Sequence, residues 1–303
     1  MTKLRFLHRS LCSAALSLLL LTSFGFNSLA APADLETLRS AAANGDAAAQ
    51  CTLATAYAKG DGLPVDYAKA LELFQSAAKN GNAKAEFSLG WMYSNGKGVA
   101  IDQKKALEWF QLAADHGNDR AQYNLGQLYL VGKGLPRDVK KSIEWFEKSA
   151  ESGFADAQAQ LGNIYFLGRE GIAHDYEKAF KWLSKAAEQG VAAAQNTVGT
   201  LYSEGKGVPM DTEKALRFYQ QAAEQGDAKA QSNLGKAYAQ ALGTKRDPVK
   251  AYQWLSLAAD QKEPLAIKYL LDYKNTLTAE QIAEGARLAE EFRTRAKTSS
   301  AKP

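Results

Sequence analysis

The chain has 303 residues, 46% of them hydrophobic, which is enough apolar material for a sizeable core and too much for a disordered polymer. Its 37 basic residues face 33 acidic ones, and three of the basic ones, Lys3, Arg5 and Arg9, lie in an N-terminal segment without acidic residues, so that the balance beyond it is 34 to 33. A near-neutral chain has no electrostatic reason to meet nucleic acid or an anionic membrane, and two cysteines, Cys12 and Cys51, cannot form a disulfide framework.

Residues 1–30 read as an export signal. A basic start is followed by an apolar run from Leu11 to Leu21 and by Ser28-Leu29-Ala30, with small residues where a signal peptidase cuts. Cleavage is expected after Ala30. The run is too short for the ~20 residues that span a bilayer, so no integral membrane segment is expected after cleavage, and the periplasm is the expected compartment. Cys12 sits at the front of the run, where a lipid-attachment site is not expected. Residues 31–44, with Asp34 to Ala42 at their centre, read as a lone capping helix.

From residue 45 to residue 263 the chain repeats itself. Leu89-Gly90-Trp91-Met92-Tyr93 returns as Leu125 to Tyr129 after 36 residues, again at Leu161 to Tyr165, at Val198 to Tyr202 and at Leu234 to Tyr238, with a weaker copy at Leu53 to Tyr57. The fourth step is 37 residues long, and its extra residue falls in Gly168-Arg169-Glu170-Gly171, which marks a loop. In each copy a second block follows, opened by Asp66, Asp102, Asp138, Asp175, Asp211 or Asp247. An Asp side chain accepts free N–H groups in a first helical turn. Apolar residues such as Ala106, Trp109, Phe110 and Ala113 recur three to four apart, and Gly81, Gly117, Gly153, Gly190 and Gly226 close the block as helix stops. Each repeat therefore reads as helix, glycine-rich turn, helix. Gly90, Gly126, Gly162, Gly199 and Gly235 lie inside the first helix, where glycine costs about 1 kcal/mol against alanine. Close approach of two backbones is the expected compensation.

The pattern resembles the Sel1-like repeat, related to tetratricopeptide solenoids. The resemblance implies an all-α solenoid of about six repeats, a right-handed superhelix of antiparallel helix pairs serving as a non-enzymatic scaffold for a protein or peptide partner, and no cofactor. Repeat 1 departs with Ala54 and Phe74, and repeat 6 with Ala241-Leu242-Gly243, where the turn is open to a different shape. Residues 264–296 read as C-terminal capping helices. Leu265 to Tyr273 resembles an unpaired first helix, and Thr278-Ala279-Glu280-Gln281 is a capping box that opens a last helix ending near Arg295. A structureless tail is expected over 297–303.

Packing explains what repeats, so binding is expected where the first helices vary, on a stripe lining a concave groove. The candidates are Phe87, Trp91, Arg120, Tyr123, Gln127, Asn163, Phe166, Asn196, Lys229 and Lys236, an aromatic patch grading into a polar stretch. The recurrent Gln122, Gln158, Gln195 and Gln231, with Glu86 in one copy, fit either an amide ladder for an extended ligand or hydrogen bonds between repeats. Beyond residue 30 only His116 and His174 remain as histidines, in different loops, both read as solvated; with no cysteine cluster, no metal site is expected. Cys51 lies where Phe87 lies in the next copy, a position on the groove stripe, and reads as an inert, partly buried thiol in preference to one half of an intermolecular disulfide. Ser76-Ala77-Ala78-Lys79 has the spacing of a penicillin-recognising nucleophile but lacks its partner motifs, so no catalytic residue is assigned. Resemblance to cysteine-rich Sel1-like proteins implies the alternative of a cell-wall binder or weak hydrolase of peptidoglycan or β-lactam compounds.

Overall fold

The structure is a computed structural model that describes residues 32–300 apart from 133, 169 and 170. The expected leader with Cys12 and its cleavage site lies outside the described residues, as does the end of the expected tail. Among the described residues the chain forms fifteen helices and no strand. They are α1 (Pro32–Ala43), α2 (Ala47–Lys59), α3 (Tyr67–Lys79), α4 (Ala83–Asn95), α5 (Gln103–Asp115), α6 (Asp119–Val131), α7 (Val139–Glu151) and α8 (Ala155–Leu167). Next come α9 (Tyr176–Glu188), α10 (Ala192–Glu204), α11 (Thr212–Glu224), α12 (Ala228–Gln240), α13 (Pro248–Asp260), α14 (Pro264–Lys274) and α15 (Ala279–Ser300). The even-numbered helices α2 to α12 are the first helices of six repeats, and each is followed by its second helix.

Two compact bodies carry these helices. In one, α1 packs on α2 and α2 on α3 around Ala42, Ala49 and Leu53, with the turn at 97–99 seated on Tyr67. The other runs from α4 to α15, and each of its helices from α4 to α13 packs on the next. Its core is a chain of small residues and large ones in turn: Ala106 and Phe110, Ala157 and Leu161, Ala179 and Leu183, Ala230 and Leu234.

Every second helix starts in the same way. Asp66, Asp102, Asp138, Asp175, Asp211 and Asp247 each accept the N–H of the lysine three residues on, at 2.9–3.0 Å. That lysine lies over the tyrosine that ends the first-helix motif, as Lys178 lies over Tyr165 and Lys250 over Tyr238, at 5.1 and 5.2 Å from the ring centre. The backbone N–H of Lys69, Lys178 and Lys214 is the main cause that holds the carboxyls of Asp66, Asp175 and Asp211 below their ordinary 3.8.

The glycines inside the first helices are contact points. A Cβ added at Gly90 would come within 2.6 Å of Phe110, at Gly126 within 2.6 Å of Phe146, at Gly162 within 2.6 Å of Leu183 and at Gly199 within 2.8 Å of Tyr219. Repeat 1 seats a fully buried methyl, Ala54, at this position. The turn of repeat 6 keeps the shape of its neighbours despite its sequence. Ala241 takes φ 59°, as Gly205 takes φ 65° in repeat 5, and its N–H likewise reaches back to the helix, here to Ala237. An alanine in that left-handed region carries about 1 kcal/mol of strain or more.

The C-terminal end departs from the repeat. Leu271 of α14 stands where Gly235 stands in α12, and it is 68% exposed. The last helix lies back along α13. It continues to Ser300, beyond the end expected near Arg295, so the tail expected from residue 297 is helical through 300. No Gly or Pro stands between Ala286 and Ser300 to break it, and Arg287 and Arg293 pair with Glu284, Glu291 and Glu290 one turn away.

Two outcomes follow from this packing. Gly126→Leu is expected to lower stability by about 3 kcal/mol or more in urea unfolding, because a branched side chain cannot enter the 2.6 Å gap before Phe146; an unchanged midpoint would remove the contact from the account. The depressed carboxyls of Asp175 and Asp211 contribute stability that is complete above 3.8 and lost as pH falls through their folded values. Asp175→Asn with Asp211→Asn keeps a capping side chain and removes that titration, so unfolding midpoints measured between about pH 5 and pH 2 should fall less steeply than in the parent.

Candidate functional site

The core contacts fix the rotation of each first helix and so decide which side chains meet solvent. Ala85 and Leu89 of α4, and Ala121 and Leu125 of α6, are fully buried. With those seated, the face left outside runs through Lys84, Ser88, Trp91 and Asn95 in α4 and through Arg120, Asn124, Gln127 and Val131 in α6. In α8 it runs through Asp156, Gln160, Asn163 and Leu167, and in α12 through Lys229, Asn233, Lys236 and Gln240.

This is the expected stripe turned by one residue, and the candidates divide accordingly. Trp91, Arg120, Gln127, Asn163, Lys229 and Lys236 keep an accessible face. Phe87 and Asn196 are 9% exposed, which corrects their assignment to the groove. Phe87 packs on Phe110 with ring centres 5.6 Å apart, and Asn196 Oδ1 accepts from Asn233 Nδ2 at 2.9 Å. Tyr123 lies between Phe146 and Phe154, and its hydroxyl accepts from Gln127 Nε2 at 2.7 Å. Burial pushes its phenol above the ordinary value of 10.0. Phe166 is half-buried against Tyr176. The sequence reading missed Ser88, Asn124, Gln160, Thr197 and Asn233. A signal for them exists, since that position is polar in repeats 2 to 6, whereas the Phe87 position alternates between Phe, Tyr, Ala, Asn and Ser.

The recurrent amides point inward. Gln50, Gln122, Gln158, Gln195 and Gln231 are buried, and each Nε2 donates to a carbonyl at the end of the preceding helix, Ala42, Ala114, Ala150, Ala187 and Ala223, at 3.0–3.2 Å. This decides for hydrogen bonds between repeats over a ligand ladder. Three of the amide oxygens are satisfied from the other end of their own repeat, by Gln189, Gln225 and Gln261 at 2.8–2.9 Å. In repeats 1 and 3 the residue after the second helix is Asn80 or Ser152, and Gln50 Oε1 and Gln122 Oε1 have no partner among the described residues.

Repeat 2 solves the same problem with charge-bearing groups. Glu86 takes the amide's place with its side chain 0% exposed, and His116 takes the place of Gln189 with Nδ1 2.9 Å from the carboxylate. The ring is 45% exposed, in keeping with its reading as solvated, and its Nδ1 also reaches inward to the one carboxylate in this buried row. His174 is exposed, stacks on Tyr176 and hydrogen-bonds the carbonyl of Phe166 at 2.8 Å. Cys51 is buried, at 8% exposure. Ser76 is half-buried on α3, and no hydrogen bond joins it to Lys79 among the described residues.

His116→Ala is expected to destabilise the protein by about 1–3 kcal/mol, since it leaves a buried carboxylate without its partner. Glu86→Gln with His116→Gln rebuilds the pair seen at Gln158 and Gln189 and should return stability close to the parent. Urea unfolding checks both, and a His116→Ala variant as stable as the parent would show the pair to be idle.

Comparison with known proteins places these features. The Sel1 repeat profile matches six times, at residues 47–82, 83–118, 119–154, 155–191, 192–227 and 228–263. Among solved structures, a protective antigen of uropathogenic Escherichia coli strains displaying an SLR fold is similar at 34% identity with a TM-score of 0.75. The match covers 89% of this chain and 59% of that one, so this chain spans little more than half the length of that relative. A Sel1 repeat protein of Oxalobacter formigenes is similar at 31% identity over 75% of this chain and 99% of its own, with a TM-score of 0.63. No curated protein matches the chain.

Proposed function

We propose, from the premise that this chain belongs to the Sel1 repeat family, that it is a non-catalytic scaffold of the cell envelope holding a segment of a partner protein along its first helices. Sel1 repeat proteins generally mediate protein–protein interaction, and their scaffold is typically non-catalytic. The observation that carries the finer reading is the mixed character of the outward row. Exposed Val131 and Leu167 end α6 and α8, and Asn124, Gln127, Gln160 and Asn163 precede them on the same face. Side-chain amides hydrogen-bond a peptide backbone in both directions, and apolar ends between them take up its side chains. Trp91 on α4 adds a large accessible ring, the kind of anchor that dominates interface energies. At the other end Lys229 and Lys236 favour an acidic stretch of the partner. Export to the periplasm is part of the proposal and is supported by the basic, apolar and small-residue order of residues 1–30.

The experiment is crosslinking of the chain in its native compartment beside a Trp91→Ala/Gln127→Ala/Asn163→Ala variant of matched helicity and stability. A partner captured by the parent and reduced on the order of tenfold or more in the variant is the expected result. Equal capture by both would move the site off the first helices and overturn the assignment.

A further inference from the structure

The second helices carry a different surface, independent of the row just described. Four of the six have a polar or charged residue near their C-terminal end, Ser76, Lys148, Lys185 or Gln221. Repeats 2 and 6 have leucine there instead, followed by aspartate three residues on: Leu112-Ala113-Ala114-Asp115 and Leu257-Ala258-Ala259-Asp260. The other four end this block in Lys79, Glu151, Glu188 or Glu224, so the Leu-Ala-Ala-Asp sequence occurs only in these two repeats.

In repeat 6 the structure shows what covers it. The last helix lies along α13: Gly285 meets Tyr252 so closely that a Cβ would fall 2.9 Å from its ring, and Phe292 stands edge-on to Trp254 with centres 5.3 Å apart. Ala289 is fully buried, and Arg293 forms an ion pair with Asp260. Under that helix Leu257 is 4% exposed. In repeat 2 the equivalent Leu112 is 38% exposed. The next first helix packs on α5 just as α14 packs on α13, so the difference traces to α15. What remains over α5 is an open trough of about 440 Å³, floored by Leu107, Leu112, Tyr129 and Leu135 and edged by Glu108 and Asp115. The Asp115 carboxylate accepts from the neutral Gln111 amide at 3.1 Å, where its counterpart Asp260 has an arginine. Trp109 stands half-buried at the position of Trp254.

We infer that the trough on α5 is a docking site for an arginine-bearing amphipathic helix of a partner protein, laid along α5 as α15 lies along α13. The chemistry of the occupant follows from the covered copy. It presents a small residue to Leu107, a second small residue one turn on, then an aromatic ring to Trp109 and an arginine to Asp115 three and four residues beyond that. Asp115 selects an arginine at that point of the helix, and the leucine floor excludes a wholly polar one.

A labelled peptide with the sequence of residues 279–298 serves as the probe and is titrated with the full chain, with fluorescence anisotropy as the readout. Saturable binding is expected, weakened on the order of tenfold by Leu112→Lys, a residue that Lys148 and Lys185 show the position accepts, and by Arg293→Glu in the peptide. Asp115→Arg in the chain should recover part of the binding of the Arg293→Glu peptide. Because Leu112→Lys leaves α13 intact, binding that it does not change would be exchange with α15 and would overturn the assignment. An absence of binding up to about 1 mM would overturn it as well. Self-association of the chain that is lost in Leu112→Lys would put a second copy's last helix in the trough and overturn the reading of a separate partner.

Discussion

The whole architecture depends on how near two helices come inside each repeat. A glycine in the first helix lets the ring or branched side chain of the second reach its backbone, at Gly90 and Phe110, Gly126 and Phe146, Gly162 and Leu183. That contact fixes the distance and rotation of the pair at once. The conformational freedom glycine would otherwise cost is offset by the dispersion contacts of a buried ring. Once the pair is set, the aspartate that opens the second helix, its lysine and the tyrosine above it lock the turn from the outside. Everything that faces solvent is then a remainder, determined by what the core has taken.

That order explains which parts of the protein are legible in its sequence. Period, caps and glycines depend on chemistry within a few residues or on strict recurrence, and they appear in the structure where the sequence places them. The phase of the outward stripe is harder, because one residue of helix is a rotation of about 100°. Spacing alone puts Phe87 outward, yet Phe110 captures it; the same spacing puts Asn196 outward, yet it bonds Asn233 in the next repeat. Neither capture is visible without knowing how successive repeats lie. The pairing of His116 with Glu86 joins residues 30 apart, and only their relation to the Gln158 and Gln189 pair makes it readable.

The buried amide row shows how a repeat protein tolerates variation at a costly place. Each glutamine must satisfy a donor and an acceptor away from water. The donor always finds a helix-end carbonyl, because every repeat supplies one. The acceptor depends on a single residue after the second helix, and the repeats differ there: Gln189, Gln225 and Gln261 reach, Asn80 and Ser152 do not, and His116 reaches with the carboxylate exchanged for the amide. Repeats alike to the eye therefore differ in how firmly their ends are tied, and the first and third are the loosest in this respect.

Leu271 gives the array an end written into its side chains. A further second helix would have to bring a side chain to the backbone of α14 as Leu255 comes to Gly235 in α12, and there the exposed isobutyl group of Leu271 stands in the way. Growth by adding a repeat after residue 263 is closed for that reason, while gain or loss of whole repeats between Asp46 and Glu263 leaves both terminal helices untouched. The length of such a protein is thus free to drift in evolution from within, between two fixed bookends.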